Sequence, residues 1–70
     1  MNSKSGRFIV SQNVKTYREE KHMNMNTLAK KSGVAYDRIY KLENSDANIT
    51  VDSLEKIAKA LDKELYELFI

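Results

Sequence analysis

Tyr36, Asp37, Arg38, Tyr40 and Lys41 crowd into the stretch LAKKSGVAYDRIYKLE, residues 28–43. They supply hydroxyls, a carboxylate, a guanidinium and an ammonium, a set suited to hydrogen bonding and to gripping charge rather than to breaking bonds. Elsewhere the chain offers no carboxylate pair, nucleophile with a base, phosphate-cradling glycine loop or metal-ligand cluster. Its single histidine, His22, has no evident partner and reads as a surface residue. The expectation is a protein that binds, with no enzymatic activity, no metal and no cofactor.

The composition limits what such a set can belong to. Seventy residues, 41% hydrophobic and 31% charged, suit one domain near the lower limit at which a single core holds unaided. Cysteine is absent, which removes disulfides and thiolate metal sites and fits a cytoplasmic protein. No apolar run approaches the roughly 18 residues of a membrane span, and no signal segment opens the chain, so no membrane partner is expected. The net charge of +2 is unevenly spread: residues 1–50 carry nine Lys or Arg against five acids, residues 51–70 three against five. A basic first part suits a polyanionic partner and an acidic last part does not, although charge alone favours ordinary solvated helix faces.

The elements that must position these groups are helical throughout. After a short flexible arm, residues 1–9, the i, i+4, i+7 spacing of Val10, Val14, Tyr17 and Lys21 predicts a helix over about 9–21. Asn24 is the N-cap of a second helix that buries Met25, Leu28 and Ala29, and Gly33 its left-handed C-cap. A third, over 36–44, buries Ile39 and Leu42. Beyond the polar NSDAN loop, Thr50 caps a fourth helix that buries Val51, Leu54, Ile57, Ala58 and Leu61, and Asp62 stands where a glycine would end it. ELYELFI gives a short fifth. The expected fold is all-α, a compact five-helix bundle over residues 10–70.

At about 100° per residue the third helix sets Tyr36, Asp37, Tyr40, Lys41 and Asn44 on one side, Ile39 and Leu42 on the other, and Arg38 and Glu43 at the edges. Ala29 is small enough for the second helix to cross the third closely, leaving the polar side projecting. A short, braced, outward-facing helix suits the DNA major groove, about 12 Å wide. Asp37 and Lys41, acid first at i,i+4, also read as an ordinary helical ion pair, and Tyr36 with Tyr40 as an aromatic patch for a protein partner.

Arg18, Leu28-Ala29, Gly33-Val34, Ile39, Leu42-Glu43 and SLEKIAKAL at 53–61 together resemble the helix-turn-helix of the phage repressor and Cro-like family, often called Xre, over about residues 10–69. The resemblance implies a lambda-repressor-like DNA-binding domain and a cytoplasmic, bacterial or phage-encoded transcriptional regulator. It further implies a homodimer on a palindromic operator of double-stranded DNA, with no small-molecule ligand. The family's base-reading positions fall on Tyr36, Asp37 and Lys41. Asn24, Met25, Arg38, Tyr40 and Asn44 fall at backbone or marginal positions, and Lys15 and Lys30 add phosphate contacts. Lys41 suits guanine O6 or N7, Asp37 cytosine N4, and Tyr36 a thymine methyl or a phosphate. Arg18 and Glu43, two unrelated surface charges by pattern alone, fall where the family has a partly buried salt bridge.

LYELFI ends the sequence with Leu65, Tyr66, Leu68, Phe69 and Ile70, more apolar groups than one short helix readily buries, and the family pairs through this end. These five are the expected dimer interface. Met25 stands where many members carry glutamine, and Ala35 where Ser or Thr often caps the third helix. The stretch NITVDSLEKIAKAL is similar to controller proteins of restriction-modification systems; phage or mobile-element repressors and antitoxins fit the pattern too. The alternative function is a helical protein-interaction module of antitoxin or anti-repressor type.

Overall fold

The computed structural model describes residues 6–44 and 49–70. Residues 1–5 of the expected arm, and the expected 45–49 loop apart from Ile49, lie outside the described residues. Helix α1 (Gly6–Glu20) starts before the predicted position 9. Val10 and Val14 face the core and Tyr17 is half-buried a turn later, whereas Lys21, next on the same stripe, is exposed because the helix has ended. Helix α2 (Met25–Ser32) begins where Asn24 Oδ1 accepts from Thr27 N at 2.8 Å. It stops at Gly33, whose φ of +76° turns its N–H back to Ala29 O.

Helix α3 (Tyr36–Asn44) and helix α4 (Val51–Ala60) follow. Thr50 Oγ1 accepts from Ser53 N at 3.1 Å and so caps α4. Val51 corrects the expected core: at the first position of α4 it precedes the turn that packs and is exposed, while Leu54, Ile57, Ala58 and Leu61 are buried. Helix α3 lies against α1 and α2, and α4 against α2. Val14, Leu28, Ile39, Leu42, Ile57, Leu61 and Leu68 are the largest fully enclosed side chains, so every element contributes to one core. No helix among the described residues is long and apolar enough to cross a membrane.

The C-terminal element corrects the five-helix count: Leu65–Phe69 is a 3-10 helix, packed on α1 and α4. Glu64 O accepts from Glu67 N at 3.0 Å, and Glu67 Oε2 returns to Glu64 N at 2.8 Å, which closes the tighter i,i+3 turn favoured in pieces this short. Two polar groups of α1 fasten it. Asn13 Nδ2 donates to Leu68 O at 2.8 Å and Ile70 O at 3.0 Å, and Tyr17 OH donates to Glu67 O at 3.1 Å. Lys63 Nζ lies 4.5 Å from the Tyr17 ring centroid, a cation–π contact on the same seam. This seam corrects the expected interface at Leu68, which closes the monomer's own core with no exposed surface, and Leu65 is half-buried beside it. Tyr66, Phe69 and Ile70 remain exposed, Ile70 at 77%.

Among the described residues, two other than glycine take left-handed backbone, His22 at φ 57° and Asp62 at φ 60°. Each ends a helix with a six-residue closure, Met23 N to Arg18 O and Lys63 N to Ala58 O. Asp62 thereby performs the expected glycine's function, since its short polar side chain tolerates this conformation. The two turns meet, with Lys21 Nζ 2.6 Å from Asp62 Oδ2. That hydrogen bond and the charge of Lys21 hold the Asp62 carboxyl below its ordinary range.

A Cβ at Gly33 would meet nothing within 4 Å, so a side chain there costs only backbone conformational energy. Gly33→Ala is expected to destabilise the domain by about 1 kcal/mol or more and lower its melting temperature by roughly 4–8 °C. His22→Gly, relieving the same conformation, should raise it. Thermal unfolding followed by circular dichroism tests both; opposite signs at the two sites are the diagnostic outcome.

Candidate nucleic-acid interface

Helix α3 divides cleanly. Ile39, Leu42 and Glu43 are buried, while Tyr36, Asp37, Arg38, Tyr40, Lys41 and Asn44 are exposed along the opposite side. The rings of Tyr36 and Tyr40 stack with centroids 6.4 Å apart and planes at 25°, so one turn supports the other. Asp37 Oδ2 lies 3.3 Å from Lys41 Nζ, the acid-first i,i+4 arrangement. Asn44 turns one amide N–H back to Tyr40 O at 3.0 Å. The first turn of α3 has Ala35 before it and thus no side-chain cap; Ala35 O accepts from Arg38 N and Ile39 N instead.

The other expected contact residues are spread over neighbouring elements. Asn24 caps α2 through its oxygen, which also accepts from Thr27 Oγ1 at 3.0 Å, so its amide nitrogen is the group placed to donate outward. Lys30 is exposed on α2 and Lys15 on α1. Met25, expected both in the core of α2 and at a marginal contact position, is half-buried and packed against the core, and its thioether offers a phosphate no donor. Among the described residues no group of three His, Asp or Glu side chains could hold a metal ion.

The structure joins Arg18 to Glu43. Arg18 Nε meets Glu43 Oε2 at 2.8 Å and Nη2 meets Oε1 at 2.9 Å, a bidentate pair whose side chains are 11% and 2% exposed. The bond to Glu43 is the main reason the Arg18 guanidinium binds its proton even more tightly than usual, against the opposing effect of burial. Arg18 Nη1 also donates to Met23 O at 2.8 Å, so one side chain ties α1, the turn before α2 and the end of α3.

Sequence reasoning missed Ser11. Buried on α1, it donates to Glu43 O at 3.2 Å and relieves one of the carbonyls that the end of α3 leaves unpaired. A small hydroxyl beside Val10, on an otherwise apolar stripe, was the available signal. Ser32 was missed similarly; its Oγ accepts from Val34 N at 3.1 Å and shapes the turn between α2 and α3. Among the described residues, no buried side-chain nitrogen or oxygen lacks a partner.

Comparison with known proteins agrees with this geometry. The helix-turn-helix family HTH_3 matches residues 14–68. The HTH-type transcriptional regulator SinR of Bacillus subtilis is 34% identical over 61 residues, 86% of this chain and 55% of SinR. The chain thus spans about half the length of the curated relatives it matches. Among solved structures it is similar to the restriction-modification controller protein C.AhdI from Aeromonas hydrophila, at 30% identity and a TM-score of 0.84 over 90% of this chain and 96% of that one. It is also similar to C.Esp1396I bound to a 25 base pair operator site, at 31% identity and a TM-score of 0.84 over 96% and 92%.

Removing one partner of the buried pair leaves the other charge without compensation. Glu43→Gln is expected to destabilise the domain by about 3 kcal/mol, lowering the melting temperature by roughly 12–24 °C. Calorimetry checks this, and an unchanged melting temperature would show that the pair bears no structural load.

Proposed function

Because the chain belongs to the helix-turn-helix (HTH_3) family of Xre and Cro/C1 type, we propose that it is a sequence-specific, double-stranded DNA-binding transcriptional regulator that inserts α3 into the major groove of a palindromic operator. The observation that carries this reading is the division of α3: its inner side is fixed by Ile39, Leu42 and the Arg18–Glu43 pair, and its outer side holds only groups able to meet base edges and phosphates. A helix whose orientation is set before docking loses little freedom on binding. The similarity to C.Esp1396I, which is bound to an operator, supports the same use of the fold here.

In this reading Lys41 donates to guanine O6 or N7, Asp37 accepts from cytosine N4, and Tyr36 packs on a thymine methyl. Arg38, Tyr40, Asn24, Asn44, Lys15 and Lys30 grip the backbone and set the register. One such helix reads only a few base pairs, too little to single out an operator among a genome's competing sites. Two copies about a two-fold axis read half-sites about 34 Å apart. Tyr66, Phe69 and Ile70 supply the apolar surface for that pairing. The stacked, exposed Tyr36 and Tyr40 favour one other reading, a protein partner on the same face.

Selection of bound duplexes from a random pool is expected to yield a palindrome; no enrichment would transfer the face to a protein partner. Tyr66→Lys should weaken dimerisation and operator binding together while helical content is kept. Sedimentation that finds a monomer at high micromolar concentration, with operator binding still tight and non-cooperative, overturns the paired arrangement.

A further inference from the structure

Helix α3 would enter a groove lined by phosphates, yet its exposed side carries a carboxylate, Asp37, in the first turn. DNA presents one negative charge per about 1.7 Å of helix axis, so a carboxylate there is repelled whatever the sequence. We infer that Asp37 is a specificity-determining residue that acts chiefly by penalising DNA with no cytosine amino group opposite it; the inference rests on the regulator reading above and names what that reading leaves open.

Asp37 is paired with Lys41 at 3.3 Å. If the pair stays closed on an arbitrary sequence, the ammonium is already compensated and adds little attraction to phosphate. If it opens, Lys41 gains a phosphate or base but Asp37 is left facing the polyanion alone. Either way non-specific DNA gains little from Lys41. Opposite cytosine, N4–H donates to the carboxylate, the charge is satisfied, and Lys41 is released toward guanine. Adenine is a poorer substitute, because its N7 lone pair faces the carboxylate beside the N6 donor. Of the neighbouring groups, Tyr36 and Tyr40 are stacked on each other, Asn44 is turned back to Tyr40 O, and Arg38, the other exposed cation of α3, stands one residue from Asp37 at the edge of the face rather than a turn away on it.

Asp37 and Lys41 stand one helical turn apart, about 6 Å along α3, so in this reading they meet neighbouring base pairs.

The test compares wild type, Asp37→Asn and Asp37→Ala by fluorescence anisotropy at one salt concentration, on the selected operator duplex and on a scrambled duplex. Asp37 is exposed, so both variants should keep their helicity, and circular dichroism verifies it. Affinity for the scrambled duplex should rise about 3- to 10-fold in both, and the operator-to-scrambled ratio should fall about tenfold or more. Repeating the selection with Asp37→Asn should turn one position of each half-site from cytosine to adenine, because a carboxamide matches adenine N6 and N7. A selective wild type whose two variants leave the scrambled affinity unchanged overturns the inference while sparing the regulator reading. A wild type that does not distinguish the two duplexes overturns both.

Discussion

The orientation of α3 depends on the two parallel hydrogen bonds between Arg18 and Glu43. Apolar contact is non-directional, so Ile39 and Leu42 alone would hold α3 to the core without deciding its rotation or its slide. A bidentate guanidinium–carboxylate pair has one good geometry. A carboxylate as enclosed as that of Glu43 persists only with a partner, and the partner, through its third bond to Met23 O, is anchored to the turn that leads into α2. The direction in which the outer side chains of α3 point is thus set from beneath, by a pair whose side chains are almost wholly buried.

Helix α1 carries two such seams. Ser11 and Arg18, two turns apart, face α3, and Asn13 and Tyr17, one turn apart, face the 3-10 helix. The same helix therefore orders the segment that would touch DNA and the segment that would touch a second copy. At its C-terminal end the Lys21–Asp62 pair adds a third tie, between two left-handed turns that are distant in sequence and adjacent in space.

Local signals were the most legible. Asn24, Gly33 and Thr50 marked their helix ends because capping is a property of a few consecutive residues, and the inward residues of α2 and α3 followed from the helical period. The Arg18–Glu43 contact was not legible from period, since both residues border an apolar stripe; the family register supplied it. Long-range fit was legible least. Nothing in LYELFI announces a 3-10 helix, whose tight turn is closed by Glu64 and Glu67 and whose Leu68 reaches a core assembled from the other four helices. Val51 went astray for a related reason: periodicity assigns a face without saying whether anything covers that face at a helix start.

The division of α3 has a consequence on an evolutionary scale. None of the exposed residues 36, 37, 38, 40, 41 and 44 belongs to the buried set of Ile39, Leu42 and Glu43. Substitutions on the outer side can therefore accumulate without loss of the scaffold, and gene duplicates can diverge to separate targets by drift on a handful of codons. The buried side is constrained as a unit, because a change at Glu43 is tolerable only alongside a change at Arg18 on another helix. A lineage of such proteins would keep its inner residues and rewrite its outer ones.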